Sequence, residues 1–253
     1  MFYDDEEIIL AKLKRKQRKH ASQQQQHEHN TINFNQAVKT KHVRLIPKSR
    51  NQERYILDLL DTSQHIVIAH GPAGTGKAYL AMQAAIKAFR NHECDRIVLT
   101  RPAVGVEDEK HGFLPGDINA KMEPWTRPLF DILRLYYNAR DISRMLEEGM
   151  IEISPLAFMR GRTFKDSWII ADEMQNATPG QIKMLMTRIG EHSKIVITGD
   201  TEQADRHGAH NGLLDLCNRL TDKSVHGMKV CGFEGRDIQR HAIIDSVLEL
   251  YKD

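Results

Sequence analysis

The stretch His65-Ile66-Val67-Ile68-Ala69-His70-Gly71-Pro72-Ala73-Gly74-Thr75-Gly76-Lys77-Ala78-Tyr79 decides the fold. Its opening, His65–Ala69, is a short apolar run rich in β-branched residues and reads as a buried strand. Residues 76–90 carry a helical pattern. Between them, Gly71-x-x-x-x-Gly76-Lys77 satisfies the phosphate-loop spacing in the context that spacing requires, a strand before and a helix after. Glycines let successive backbone N–H groups turn inward onto phosphate oxygens, and the helix N-terminus adds a favourable dipole. The expected lining is Gly71, Pro72, Ala73, Gly74, Thr75, Gly76, Lys77, Ala78 and Tyr79, with the Lys77 ammonium reaching the outer phosphates.

Outward from this loop, short β-rich runs alternate with longer helical patterns. Arg96–Thr100, Met150–Ser154, Trp168–Ala171 and Lys194–Thr198 read as further strands, and 124–137, 178–190, 211–220 and 237–251 as helices. Apolar strands alternating with helices imply an α/β fold, a parallel sheet with helices on both faces. No internal repeat interrupts it, so residues 45–253 are expected to form one domain.

Residues 1–44 have another texture. The chain carries a net charge of +2, yet residues 1–50 hold 11 Lys/Arg against 5 Asp/Glu. The tail opens with Asp4-Asp5-Glu6-Glu7, the wrong charge for a secretory signal. A helix over residues 1–20 would place acids first and Lys12, Lys14, Arg15, Lys16, Arg18 and Lys19 last, as the helix dipole favours. Residues 21–37, with Gln23–Gln26 and His27-Glu28-His29, read as a polar linker. A basic N-terminal tail is compatible either with a local polyanion contact or with a solvated extension. No apolar run approaches the ~18 residues of a membrane span, and the three cysteines are too scattered for a disulfide scaffold or a zinc site. A reduced, cytoplasmic protein without membrane contact is expected.

Two carboxylates complete the picture. Ser167-Trp168-Ile169-Ile170-Ala171 delivers Asp172-Glu173 at a strand's carboxyl end, the end that faces the ligand crevice of an open α/β sheet. Asp172 is placed to hold Mg²⁺ and Glu173 to accept a proton from an attacking water. Lys194–Thr198 ends in Gly199-Asp200-Thr201-Glu202-Gln203, so that Gln203 is expected to orient that water or sense the terminal phosphate, if the two strands are neighbours. One position breaks the pattern: the residue after Lys77 should offer a hydroxyl to Mg²⁺, and it is Ala78. Three outcomes stay open. Water takes the hydroxyl's place, Thr75 lends its own, or hydrolysis is impaired.

With these residues in hand, the chain resembles the PhoH family of P-loop ATPases, which is similar to the helicase superfamily-one core. The resemblance runs from about Asn51 to Tyr251. Besides Gly71–Lys77, it is carried by Arg101-Pro102-Ala103-Val104, Gly112-Phe113-Leu114-Pro115-Gly116-Asp117 and Phe158-Met159-Arg160-Gly161-Arg162-Thr163-Phe164. It continues through Asp172-Glu173-Met174-Gln175-Asn176, Gly199–Gln203 and Asp237-Ile238-Gln239-Arg240-His241. The short length and unusual tail resemble a bacteriophage member, whose place would be the host cytoplasm.

The resemblance implies a RecA-like core that uses ATP and Mg²⁺. It further implies that Gln52 reads adenine, that Arg240 serves as an arginine finger, and that the protein works as a homo-hexameric ring. Ala78 in place of the usual Thr, and Ala242 in place of Pro, are departures from the pattern. By the same resemblance the partner is single-stranded RNA or DNA and the activity a nucleic-acid-stimulated, helicase-like ATPase. Arg101, Lys110, Lys121, Arg127, Arg160 and Arg162 are candidate phosphate contacts, and Trp125 or Phe158 candidate stacking platforms. Arg160 and Arg162 could instead hold acids within the fold. The alternative functions are an ATP-binding switch with weak hydrolysis and, less compatible with Glu173, a small-molecule kinase.

Overall fold

The computed structural model describes residues 42–102, 127–202, 211–221 and 223–239, all within the unit His42–Asp253. The tail helix and linker, Lys110, Lys121, Trp125, Gln203, Arg240 and the expected helix after 239 lie outside the described residues.

Among the described residues, six parallel strands build the sheet: β1 (Ile66–His70), β2 (Arg96–Thr100), β3 (Ile151–Ile153), β4 (Ser167–Ala171), β5 (Lys194–Gly199) and β6 (Met228–Gly232). Their spatial order is β3-β2-β4-β5-β1-β6. Strand alternation sends successive side chains to opposite faces. Val67 and Ala69, Ile97 and Leu99, Ile170 and Val196 thus join one core, while Ile68, Val98, Ile169, Ala171, Ile195 and Ile197 join the other. Helices α1 (Arg50–Leu60), α2 (Lys77–Arg90) and α3 (Ala139–Glu147), with a helical stretch over 127–134, cover the first face; α4 (Pro179–Met186) and α5 (Gly212–Thr221) cover the second. The doubly covered parallel sheet is as the sequence implied.

Three elements are additional to the sequence reading. In α1, Ser49 caps the helix by accepting from the Gln52 N–H at 3.3 Å, and Tyr55, Ile56 and Leu59 supply the buried stripe. In α3, Asn138 accepts from the Asp141 N–H at 2.8 Å, and only Ile142 and Met145 are buried. Strand β6 is an edge strand that buries only Cys231. Helix α4 is shorter than the expected 178–190. Its start is a capping box, Thr178 with Gln181, followed by Pro179. Its end is set by Phe164, which donates to the Arg188 carbonyl at 2.9 Å and accepts from the Gly190 N–H at 2.7 Å.

Candidate active site

The strand order places the tips of β4, β5 and β1 side by side, about 5 Å apart per strand. The phosphate loop and the Asp172-Glu173 pair both lie at this carboxyl end.

The loop after β1 is glycine-dependent in two ways. Gly71, Gly74 and Gly76 hold φ of 130°, 84° and 82°, backbone that side chains resist. At Gly71 a Cβ would also stand 2.2 Å from the Phe233 carbonyl oxygen. Gly76 is the N-cap of α2 and brings no side chain to satisfy the helix's first N–H groups. Those donors face an anion site by default. The buried Lys77 ammonium donates to the carbonyls of Gly71 at 2.6 Å and Pro72 at 2.7 Å, and to Thr75 Oγ1 at 3.2 Å. The uncapped helix start, the glycine backbone and a cation held in the loop fit a triphosphate.

Thr75 cannot stand in for the hydroxyl missing at Ala78 in this arrangement. It is fully buried, its hydroxyl donates to the Pro72 carbonyl at 3.0 Å, and it accepts from Lys77. Ala78 itself packs against the core. Tyr79, by contrast, is 41% exposed and accepts from Gln83 Nε2 at 3.1 Å.

Gln52 sits beneath the loop rather than open beside it. Its amide donates to the Thr75 carbonyl at 3.0 Å and accepts from the Lys48 N–H at 2.7 Å. One N–H and one lone pair remain for other partners. Tyr55, one turn later, reaches the Lys77 carbonyl at 3.4 Å and packs edge-on against Phe233, with ring centroids 5.5 Å apart.

At the β4 tip, Asp172 accepts from Thr198 Oγ1 at 2.5 Å. Burial lifts the Asp172 carboxyl above its ordinary range; the Thr198 hydrogen bond and the charge of Arg101 oppose that rise, while the charge of Glu173 adds to it. Glu173 follows in left-handed backbone, φ 56°, unusual for a residue with a long side chain. Both of its carboxylate oxygens are engaged: Oε1 lies 3.3 Å from Arg101 at the end of β2, and Oε2 accepts from Gln175 Nε2 at 2.5 Å. Gln175 Oε1 in turn accepts from the Asp200 N–H at 3.1 Å. Gly71 N–H donates to the Gly199 carbonyl at 3.2 Å, so the β5 tip bonds directly to the start of the phosphate loop. Thr198 and Gln175 carried no functional expectation from sequence, and Arg101 was expected at nucleic acid rather than beside Glu173. No sequence signal short of the β4–β5 pairing marks Thr198.

The basic candidates divide. Arg162 chelates Glu152 and lies 4.5 Å over the Phe164 ring, so it holds an acid within the fold. Arg127, Arg160 and Phe158 are exposed, Phe158 by 60%.

A glycine cradle entering a helix, with an Asp-Glu pair two strands away on the same sheet end, is the defining site of P-loop ATPase cores. The particular family follows from comparison: the PhoH-like protein family matches residues 44–252, and the chain belongs to it. It is 39% identical to a PhoH-like protein of Synechocystis over 90% of this chain and 68% of that one. With the PhoH-like protein of Bacillus subtilis it shares 42% identity over 81% of this chain and 63% of that one. With the protein PhoH of Escherichia coli K12 the figures are 38%, 75% and 53%. The chain thus spans between about half and two thirds of these curated relatives. Among solved structures, the Sulfolobus solfataricus SWI2/SNF2 ATPase core in complex with dsDNA aligns at 15% identity and TM-score 0.40, over 64% of this chain and 33% of that one. The Pif1 helicase from Candida albicans aligns at 15% and 0.38, over 81% and 44%. Among the described residues no helix is long and apolar enough to cross a membrane.

Proposed function

We propose that the chain binds ATP and hydrolyses it, and that single-stranded RNA or DNA stimulates the reaction. The observation that carries this reading is the strand order β4-β5-β1, which sets the Lys77 loop and the Asp172-Glu173 pair on one sheet end with a single strand between them. Lys77 and the α2 N-terminus bind the outer phosphates, and Asp172 holds Mg²⁺, which neutralises phosphate charge when bound. Glu173 takes a proton from water as the water oxygen bonds to the γ-phosphorus and the bridging P–O bond to the β-phosphate breaks, leaving ADP and phosphate. Gln203 orients that water, Gln52 offers its remaining amide groups to adenine, and Arg240 supplies cationic stabilisation. With Arg240 acting as a finger on a neighbouring subunit's nucleotide, as the family resemblance implies, the active form is a homo-hexameric ring, in the cytoplasm.

Phosphate release measured with and without a panel of single-stranded RNA and DNA, beside the mass in solution, tests these points together. Stimulation that falls with salt supports the nucleic-acid partner; an unchanged rate across the panel refutes it, and a monomeric mass refutes the ring. A second reading, an ATP-dependent switch with weak turnover, is favoured by one feature. Ala78 has no hydroxyl, and that of Thr75 is spent within the loop. Tight ATP binding without phosphate release, restored by Ala78→Thr, would select it.

A further inference from the structure

The peptide group between Gly199 and Asp200 is bonded on both sides. Its carbonyl accepts from the first N–H of the phosphate loop, Gly71, at 3.2 Å, and its N–H donates to Gln175 Oε1 at 3.1 Å. A peptide group is planar and rigid, so these two bonds are fixed relative to one another. Gln175 then donates from its Nε2 to Glu173 Oε2 at 2.5 Å. The chain Gly71–peptide 199/200–Gln175–Glu173 is continuous from the phosphate cradle to the carboxylate, and Gln175 is the only side chain in it besides Glu173 itself.

The surroundings lock this amide in place. Gln175 is 6% exposed. A Cβ at Gly199 would lie 2.5 Å from Gln175 Oε1 and 3.2 Å from its backbone nitrogen, so residue 199 must be glycine for the amide to sit where it does. The residue whose carboxylate Gln175 holds has a strained backbone, Glu173 at φ 56°. A carboxylate at the end of three rotatable bonds needs an external hold to keep one pose, and an amide bridging both partners provides it without adding charge.

We infer that Gln175 is a positioning residue for the reaction: it sets the Glu173 carboxylate at a fixed place relative to the phosphate loop, acting through the 199–200 peptide. Arg101, on the far side, restrains the other oxygen. The inference rests on the reading of Glu173 as the general base. It separates catalysis from binding, because Gln175 touches none of Lys77, Thr75 or the α2 N-terminus among the described hydrogen bonds.

The test replaces Gln175 with Met, of similar length but without hydrogen-bonding groups, and with Asn, which keeps the amide but is one methylene too short to bridge. ATP affinity, measured with a fluorescent analogue, should stay within about threefold of wild type. kcat should fall by roughly 10- to 100-fold, the cost of misplacing a catalytic group by an ångström or so. Single-turnover phosphate release is then compared in Glu173→Gln and in the double variant Glu173→Gln/Gln175→Met. If Gln175 acts through Glu173, the second change adds no further loss. Wild-type kcat in both Gln175 variants, with Glu173→Gln inactive, overturns the inference alone. So does a full additional loss in the double variant, which would mark Gln175 as merely structural. Normal turnover by Glu173→Gln would overturn the base and this inference with it.

Discussion

Two lysines, one at each end of the same sheet, are both buried and both caged by backbone carbonyls. Lys77, at the carboxyl end, is 9% exposed and Lys194, at the amino end, 7%. Lys194 donates to the carbonyls of Leu59 at 2.6 Å and Asp61 at 2.8 Å, and lies 5.2 Å over the Trp168 ring. Those carbonyls are the last of α1, orphans that any helix must satisfy, and a cation there also suits the helix dipole. Lys77 donates instead to the carbonyls of a glycine loop that opens an uncapped helix. One cation closes a helix end, whereas the other is lodged in a cradle for anions. Burial and hydrogen bonding alone do not tell function from architecture; the identity of the carbonyls' owner does.

The comparison can be broken or sharpened by substitution. The largest effect is expected from Glu173→Gln, which should keep ATP bound while phosphate release falls by about 10²- to 10⁴-fold; normal turnover would place the base elsewhere. Next, Lys77→Ala should weaken nucleotide affinity on the order of 100-fold by removing a charge-assisted contact; undiminished affinity in calorimetry would void the cradle. Lys194→Met should do the reverse: it strands the Leu59 and Asp61 carbonyls, costs about 1–3 kcal/mol of stability, and leaves ATP affinity alone. Equal effects of the two lysine changes on binding would erase the distinction drawn here. Ala78→Thr should raise Mg²⁺-dependent turnover a few-fold, on the order of 1 kcal/mol; no change would mean water already serves.

A further effect concerns pH. Burial pulls the Lys194 ammonium down from its ordinary 10.5 to about 8. Between those values the unfolded chain keeps a proton that the folded chain has shed, so stability contributed by this residue rises with pH across that window and is lowest below it. Denaturant melts of wild type and Lys194→Met from pH 7.5 to 10 should show the gap moving in favour of wild type as pH increases. A constant gap would mean the amine titrates normally.

Much of this was legible in the chain. The four inner strands, β1, β2, β4 and β5, announced themselves by nearly continuous apolar runs, because a strand covered on both faces is apolar along most of its length; β3, at one edge, is buried only at Ile151. Strand β6 did not announce itself: at the other edge, Lys229 and Val230 face solvent and only Cys231 is buried, so its pattern falls below what periodicity detects. Helix α1 carried a readable start, Ser49 three residues before Gln52 and a run of Tyr55, Ile56 and Leu59, but Gln52 drew attention as a ligand reader. The loop and the acidic pair were visible because their spacing is local. The Thr198–Asp172 bond, the Arg101–Glu173 pair and the Gln175 bridge were not, since each depends on which strands stand side by side, and spacing along a chain does not encode that.

The stretch that follows β6 lies against the phosphate loop along its length: the Phe233 carbonyl fills the space a side chain at 71 would need, and the Gln239 N–H donates to the Gly74 carbonyl at 2.9 Å. Asp237 fastens the same stretch to Asn51 at 2.8 Å, beside Gln52. A loop walled in this way has no slack of its own. Through the Gln239–Gly74 bond, the loop backbone at Gly74 and the backbone at residue 239 are tied as a dial is to its needle, so neither can be displaced without straining the other.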